Sequence, residues 1–123
     1  MRYAQLPEVA AARARRQEII DRPLSEVARK QRIETPSRWV ELITEAGKSF
    51  GVDDVGVARM DPSWVFEGHR QDTRTWAIAI AVQHDYDALK TAPEYPAATE
   101  VVNQCRRALK VVKELTGWIR DQG

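Results

Sequence analysis

One hundred and twenty-three residues make one domain, or one piece of a larger domain. Hydrophobic residues at 43% and charged residues at 30% are globular proportions, which excludes disorder over most of the chain. Nineteen Lys and Arg against eighteen Asp and Glu leave a net charge of +1, too small a basic excess for a dedicated nucleic-acid binder.

The first residues, Met1 to Pro7, lead straight into charge with no apolar stretch behind them. Neither a secretory nor a twin-arginine signal is expected, so the expected compartment is the cytoplasm. Pro7 to Ile20 is helical in composition, with three consecutive alanines, alternating charge and only a thin apolar stripe. Arg13, Arg15 and Arg16 read as its solvated face. Pro23 sits where a second helix can start, with Leu24, Val27 and Ala28 on one side. These segments are expected to lie over a partner surface or to fray, and residues 1–35 read as a charged helical extension of the domain 36–123.

Thr35-Pro36-Ser37 opens a stronger helix. Trp39, Ile43, Ala46 and Phe50 are spaced four, three and four, a proline suits the first turn, and Gly51 supplies the stop. Residues 52–60 read as a short strand with Val55, Val57 and Arg59 on one face and Gly56 and Ala58 on the other. A polar loop follows, 61–72, which holds the apolar triplet Trp64, Val65 and Phe66.

Residues 75–83 form the clearest strand, with Trp76, Ile78, Ile80 and Val82 on one face and Ala77, Ala79 and Ala81 on the other. Apolar on both faces, it reads as a central strand that needs a neighbour on each side. Its run from Trp76 to Val82 is also the longest apolar stretch, seven residues where a membrane helix takes ~20. Only one other strand is legible, and two strands make a poor sheet. More of the fold is therefore expected elsewhere, on the same chain or another. Residues 84–96 read as a loop with one helical turn at most. A long helix follows from about Ala97 to Asp121, with Val101, Cys105, Ala108, Val112, Leu115 and Ile119 as its apolar stripe and Trp118 near its end.

The inventory of reactive groups is short. Cys105 is the single cysteine, which leaves no internal disulfide, no four-thiolate zinc site and no self-contained iron–sulfur cluster. His69 and His84 are the only histidines, and their spacing fits no compact ligand motif. No Walker loop, paired-glycine dinucleotide fingerprint or nucleophile elbow occurs. No catalytic residue and no metal ligand is expected in the chain itself.

Two blocks carry a resemblance. Residues 46–66, from Ala46-Gly47-Lys48-Ser49-Phe50-Gly51 through Val55-Gly56-Val57-Ala58 to Asp61-Pro62-Ser63-Trp64-Val65-Phe66, resemble the N-terminal region of corrinoid-dependent reductive dehalogenases. The second strand with Gln83-His84-Asp85-Tyr86-Asp87-Ala88-Leu89-Lys90-Thr91-Ala92-Pro93 looks like the same family's next block. The likeness covers roughly residues 37–123, and epoxyqueuosine reductase is the neighbouring family, less similar in these blocks. The resemblance implies an α+β chain, an incomplete nitroreductase-like α/β fragment with N-terminal helices, two strands and a long C-terminal helix. It implies an oxidoreductase that cleaves a carbon–halogen bond of an organohalide with a corrinoid (cobalamin) and two 4Fe–4S clusters. The cluster cysteines and the proton-donating tyrosine of the family have no counterparts here, so the chemistry is expected downstream of this chain. The implied partners are the remainder of the same enzyme or a second subunit, with no nucleic acid and no membrane.

The cofactor- or substrate-binding candidates are Trp64, Phe66, His84 and Tyr86. Trp64 and Phe66 can wall an apolar organohalide pocket, because such substrates offer little but dispersion. The competing expectation, which their apolar neighbour Val65 favours, is that they plug the core under the loop. Tyr86 lies just past a strand end, where α/β folds place ligand contacts. His84 is weighed against a surface histidine, His69 reads as solvated, and Cys105 reads as a small core residue. Two functional classes stay open: the front part of a dehalogenase, or a non-catalytic interaction or cofactor-binding module that keeps this fold fragment.

Overall fold

The computed structural model describes residues 6–70 and 73–123. The N-terminal residues 1–5 and the loop end at Gln71 and Asp72, both read above from sequence, lie outside the described residues. The elements run in the order α1 (Pro7–Ile20), α2 (Pro36–Ser49), β1 (Asp54–Arg59), β2 (Trp76–Ala81), α3 (Tyr86–Leu89) and α4 (Tyr95–Asp121). Among the described residues the chain is a mixed α+β structure of four helices and a two-stranded antiparallel sheet, with α2 packed on one face of the sheet.

The local signals act as their chemistry dictates. The Thr35 hydroxyl accepts from the Arg38 N–H at 3.2 Å, which satisfies one orphan donor at the start of α2, and Pro36 occupies the first turn. Gly51 takes the left-handed φ of 107° that ends the helix. Asp61 accepts from the Ser63 N–H and starts a single 3-10 turn over Pro62–Trp64. Asp85 caps α3 through the Ala88 N–H, and the Ala92–Pro93 peptide between α3 and α4 is cis.

α4, 27 residues long, is the element on which the others assemble. Along one side it takes α1, where Val9, Ala12 and Val102 form a cluster of buried side chains with Leu6 and Ala98 beside it. Val111, Leu115 and Trp118 share another face, which turns toward α2: the Trp118 and Trp39 rings meet edge to face with centroids 6.5 Å apart.

Residues 22–35 differ from expectation. Pro23 opens no helix; the segment runs as an irregular strap across the end of α4. Ala28 N–H donates to Arg120 O and Arg32 N–H to Gln122 O, each at 2.7 Å. Lys113 Nζ reaches Arg22 O and Arg120 Nη1 reaches Ser25 O, also at 2.7 Å. The last carbonyls of a helix have no partners of their own, and the strap supplies two of them, which outweighs a weak local helix signal.

The predicted stripe of α4 is buried only in part, at Leu115. Val101 and Val112 are exposed at 44% each and Cys105 is exposed, whereas Ala97, Val102, Val111 and Leu115 are buried. Cys105 is therefore not a core residue. A helix held between two helices buries two stripes, and the apolar residues between them stay in water.

In the sheet, Asp54 pairs with Ala81 and Arg59 with Trp76, in unbroken register. One face carries Val55, Val57, Ile78 and Ile80, and α2 lies over the β1 half of it. The contact is close: a Cβ built on Gly47 of α2 falls 2.6 Å from Val55 Cγ2. β2 does not stand as a central strand. Among the described residues β1 is its only strand neighbour, and Trp76 and Ile78 are exposed at 58% and 37%.

Gly47→Ala is expected to destabilise the chain. Overpacking costs about 1–3 kcal/mol, and the better helix propensity of alanine returns at most about 1 kcal/mol. A lower midpoint in urea, partly restored by Val55→Ala in the same chain, is the outcome to look for; an unchanged or raised midpoint contradicts the α2–β1 contact.

Candidate functional site

The pairing register decides where the candidate residues stand. Trp64 and Phe66 lie in the connection that leaves the sheet at its Arg59–Trp76 end. His84 and Tyr86 follow β2 at the opposite, Asp54–Ala81 end. Six paired residues separate the two ends, about 17 Å of strand at the usual rise. The chain thus brings the candidates together in two pairs and does not unite all four.

At the first end, Asp61 holds the turn and its carboxyl is pushed below the usual range by the Ser63 backbone N–H it accepts. The turn aims Trp64 and Phe66 outward, exposed at 54% and 80%, while Val65 between them is half-buried. The Phe66 ring meets His69 with centroids 6.0 Å apart. The expectation that these aromatics plug the core is not met: among the described residues the buried apolar side chains lie in α1, α2 and α4 and at Val52, and none lies in the loop.

At the second end, His84 is half-buried and Tyr86 is 77% exposed, its ring under Lys90 Nζ at 5.7 Å. Asp85 N–H donates to Glu100 Oε1 at 2.7 Å, which ties this loop to α4. Asp53 makes the stronger tie. Its Oδ2 accepts from the Gln83 N–H at 2.6 Å and from Arg107 Nη2 of α4. The Gln83 N–H first, and the Arg107 charge after it, hold the Asp53 carboxyl below its ordinary value.

Cavities lie elsewhere, and sequence reading singled out none of them as a site. An apolar groove of about 290 Å³ opens between α2 and the sheet, bordered by Trp39, Val40, Ile43, Val57, Trp76 and Ile78. Alternation on β2 and the four-three spacing on α2 marked these residues as apolar faces, but not as one surface left open. A polar groove of about 540 Å³ runs between the end of α1 and α4, where Arg22, Arg106, Arg107 and Lys110 face Glu100.

The chain supplies one thiol, exposed Cys105, which cannot by itself hold a cubane cluster. The candidate aromatics form no enclosed cradle for a macrocycle, because three of the four are exposed and the pairs stand at opposite ends of the sheet. These residues alone do not fit a corrinoid or an iron–sulfur cluster. No helix among the described residues is long and apolar enough to cross a membrane. Comparison with family models, with curated proteins and with solved structures found no match.

The Asp53 tie sets a pH dependence. Its folded-state pKa lies below the unfolded value, so its stabilisation is complete above the unfolded carboxylate pKa and is lost as pH falls through the folded one. Asp53→Asn should lower the melting temperature at neutral pH, and the gap should close as the wild type is acidified. Melting curves across the acid range check this, and a gap that persists in strong acid contradicts it.

Proposed function

We propose that this chain is the N-terminal portion of a reductive dehalogenase, a cytoplasmic oxidoreductase with a nitroreductase-like core. In that reading the complete enzyme removes halide from an organohalide with a corrinoid and 4Fe–4S clusters held by other parts of the protein. The observation that carries the reading is the outward-turned aromatic loop. Trp64 and Phe66 are held in water by an Asp61-capped turn, at 54% and 80% exposure, where an isolated domain gains nothing from them. They fall inside the Asp61-Pro62-Ser63-Trp64-Val65-Phe66 block that carries the resemblance.

The role assigned to this chain is to pack and to exclude water. Trp64 and Phe66 offer dispersion contact to an apolar substrate or to the rest of the enzyme, and Tyr86 and His84 offer polar contact at the other end of the sheet. In the complete enzyme a corrinoid and clusters held by other parts of the protein would supply the redox chemistry. The apolar groove between α2 and the sheet supports a second reading, a non-catalytic interaction module, because an open apolar surface is what a docking site offers.

Two outcomes test the proposal. The isolated chain, given cobalamin and a strong reductant, should release halide no faster than free cobalamin does; a rate clearly above that background, lost on substitution of a residue here, would falsify this division of labour. The complete protein should carry cobalt, iron and sulfide on elemental analysis. Absence of all three after anaerobic preparation leaves the interaction module standing.

Within the isolated chain, Trp64→Ala should barely move the melting temperature, because a ring more than half in water gives up far less than the ~3–5 kcal/mol of a buried one. In the complete enzyme the same change should alter the ranking of organohalides by bulk. A large loss of stability in the isolated chain, with unchanged ranking in the enzyme, returns Trp64 to a packing role.

A further inference from the structure

We propose that the polar groove between α1 and α4 binds a small anion carrying two or more phosphate groups, held by Arg22, Arg106 and Lys110. The inference does not rest on the dehalogenase reading.

Charge is concentrated here in a chain that has almost none to spare. Arg22, Arg106, Arg107 and Lys110 border the groove against the carboxylate of Glu100, while the net charge of the whole sequence is +1. Other cations of the protein stand beside a carboxylate: Arg32 with Glu34, Arg38 with Glu41, Lys90 with Asp87. In the groove Arg107 is matched in this way, by Asp53. Lys110 reaches Glu114 only at 4.0 Å, and the Arg22 and Arg106 guanidiniums have no ion pair or hydrogen bond among the described residues. Glu100 is engaged by other donors, the Asp85 N–H at 2.7 Å and Gln104 Nε2 at 2.8 Å.

The spacing of the cations is what makes the cluster costly. Arg106 and Arg107 precede Lys110 by four and three residues, so one turn of α4 stacks three like charges. Like charges at that spacing destabilise a helix. Arg22, just past the end of α1, adds a fourth from across the groove. A bound anion removes the repulsion that solvent only screens.

Orphaned polar atoms gather on the same two helices. Among the described residues, the buried side-chain atoms without a hydrogen-bond partner are Arg16 Nε, Thr99 Oγ1, Asn103 Oδ1, Gln104 Oε1 and Arg107 Nε. All belong to α1 or α4, and the last three to residues that line the groove. Arg16 stands in line with buried Val9, Ala12 and Ile19, on the stripe that packs against α4 and not on a solvated face. Buried polar atoms are normally paired, and orphans grouped around one groove point to an ion, waters or a ligand that pairs them. Two of the five are guanidinium donors, which suits an oxyanion.

Size selects among oxyanions. The groove holds about 540 Å³, a small-molecule volume and more room than one inorganic phosphate fills. Guanidiniums fork onto phosphate oxygens, and cations set on two sides of the groove engage several phosphates at once. A nucleic-acid strand would need a longer basic track than this.

Calorimetric titration of the 123-residue chain with tripolyphosphate at low salt should show saturable binding, one site per chain. Inorganic phosphate should bind at least tenfold more weakly, and tripolyphosphate should raise the melting temperature because it binds the folded state. The Arg22 and Arg106 side chains hold nothing else in place, so Arg22→Gln and Arg106→Gln should each lower affinity at least fivefold with the ligand-free melt unchanged. Arg13→Gln, which removes the same charge from α1 outside the groove, should leave affinity within twofold. Should Arg106→Gln lose stability, Lys110→Gln carries the same test. Absence of saturable binding overturns the proposal, as does affinity indifferent to both groove arginines or lowered equally by Arg13→Gln. Inorganic phosphate bound as tightly as tripolyphosphate also overturns it. So does binding of polyglutamate or phosphatidylserine vesicles without tripolyphosphate, which would make the patch a docking face for a protein or a membrane.

Discussion

Val102 of α4 meets Val9 and Ala12 of α1 in a cluster with almost no access to water, and the rest of the chain takes its place from that helix. At 27 residues α4 is about 40 Å long, long enough to hold α1 and α2 on separate faces and the 22–35 strap at its end. The sheet is attached differently. Arg107 grips Asp53 before β1, and Glu100 accepts from Asp85 after β2, so two polar ties hold it where helices are held by burial. Among the described residues the close packing on the sheet comes from α2, through the bare Gly47 backbone against Val55. The helical part is thus self-sufficient in a way the sheet is not. Apolar surface on this protein accumulates where the ties are polar.

Signals confined to a few neighbouring residues were legible in the sequence. Thr35-Pro36 needs only its own turn to start a helix, Asp85 needs only Ala88, and alternation over Trp76 to Ala81 needs only the pleat. What depends on distant partners was not legible. Pro23 reads as a helix start, yet the strap is set by the carbonyls of Arg120 and Gln122, some 90 residues along. The stripe Val101, Cys105, Ala108, Val112, Leu115 and Ile119 reads as a core seam because one seam per helix is the simplest assumption; α4 has two, so Leu115 is buried while Val101, Cys105 and Val112 stay exposed.

The candidate site shows the same boundary. The apolar triplet at Trp64, Val65 and Phe66 was visible, and burial was the natural expectation for it. The Asp61 turn splits the triplet, keeping Val65 partly covered and sending its two aromatic neighbours out. Grouping Trp64 and Phe66 with His84 and Tyr86 required the pairing register, a long-range property that no single stretch contains. The register puts them at opposite ends of the sheet. The α2–sheet groove escaped notice for a related reason: each of its walls looks like an ordinary core face until the structure leaves the space between them open.

The small sheet offers several separate surfaces. Its free β2 edge and the α2 groove, with exposed Trp76 and Ile78, lie beside the strands. The aromatic loop and the Tyr86 turn project past the two strand ends, beyond the reach of a partner seated on the edge. A third surface belongs to neither. The face that carries Gly56, Ala58, Ala77, Ala79 and Ala81 has no large side chain, and a Cβ built on Gly56 would meet no atom within 4 Å. The strand ends and the alanine face are therefore separate from the β2 edge, and substitutions at one can be tested without disturbing the others.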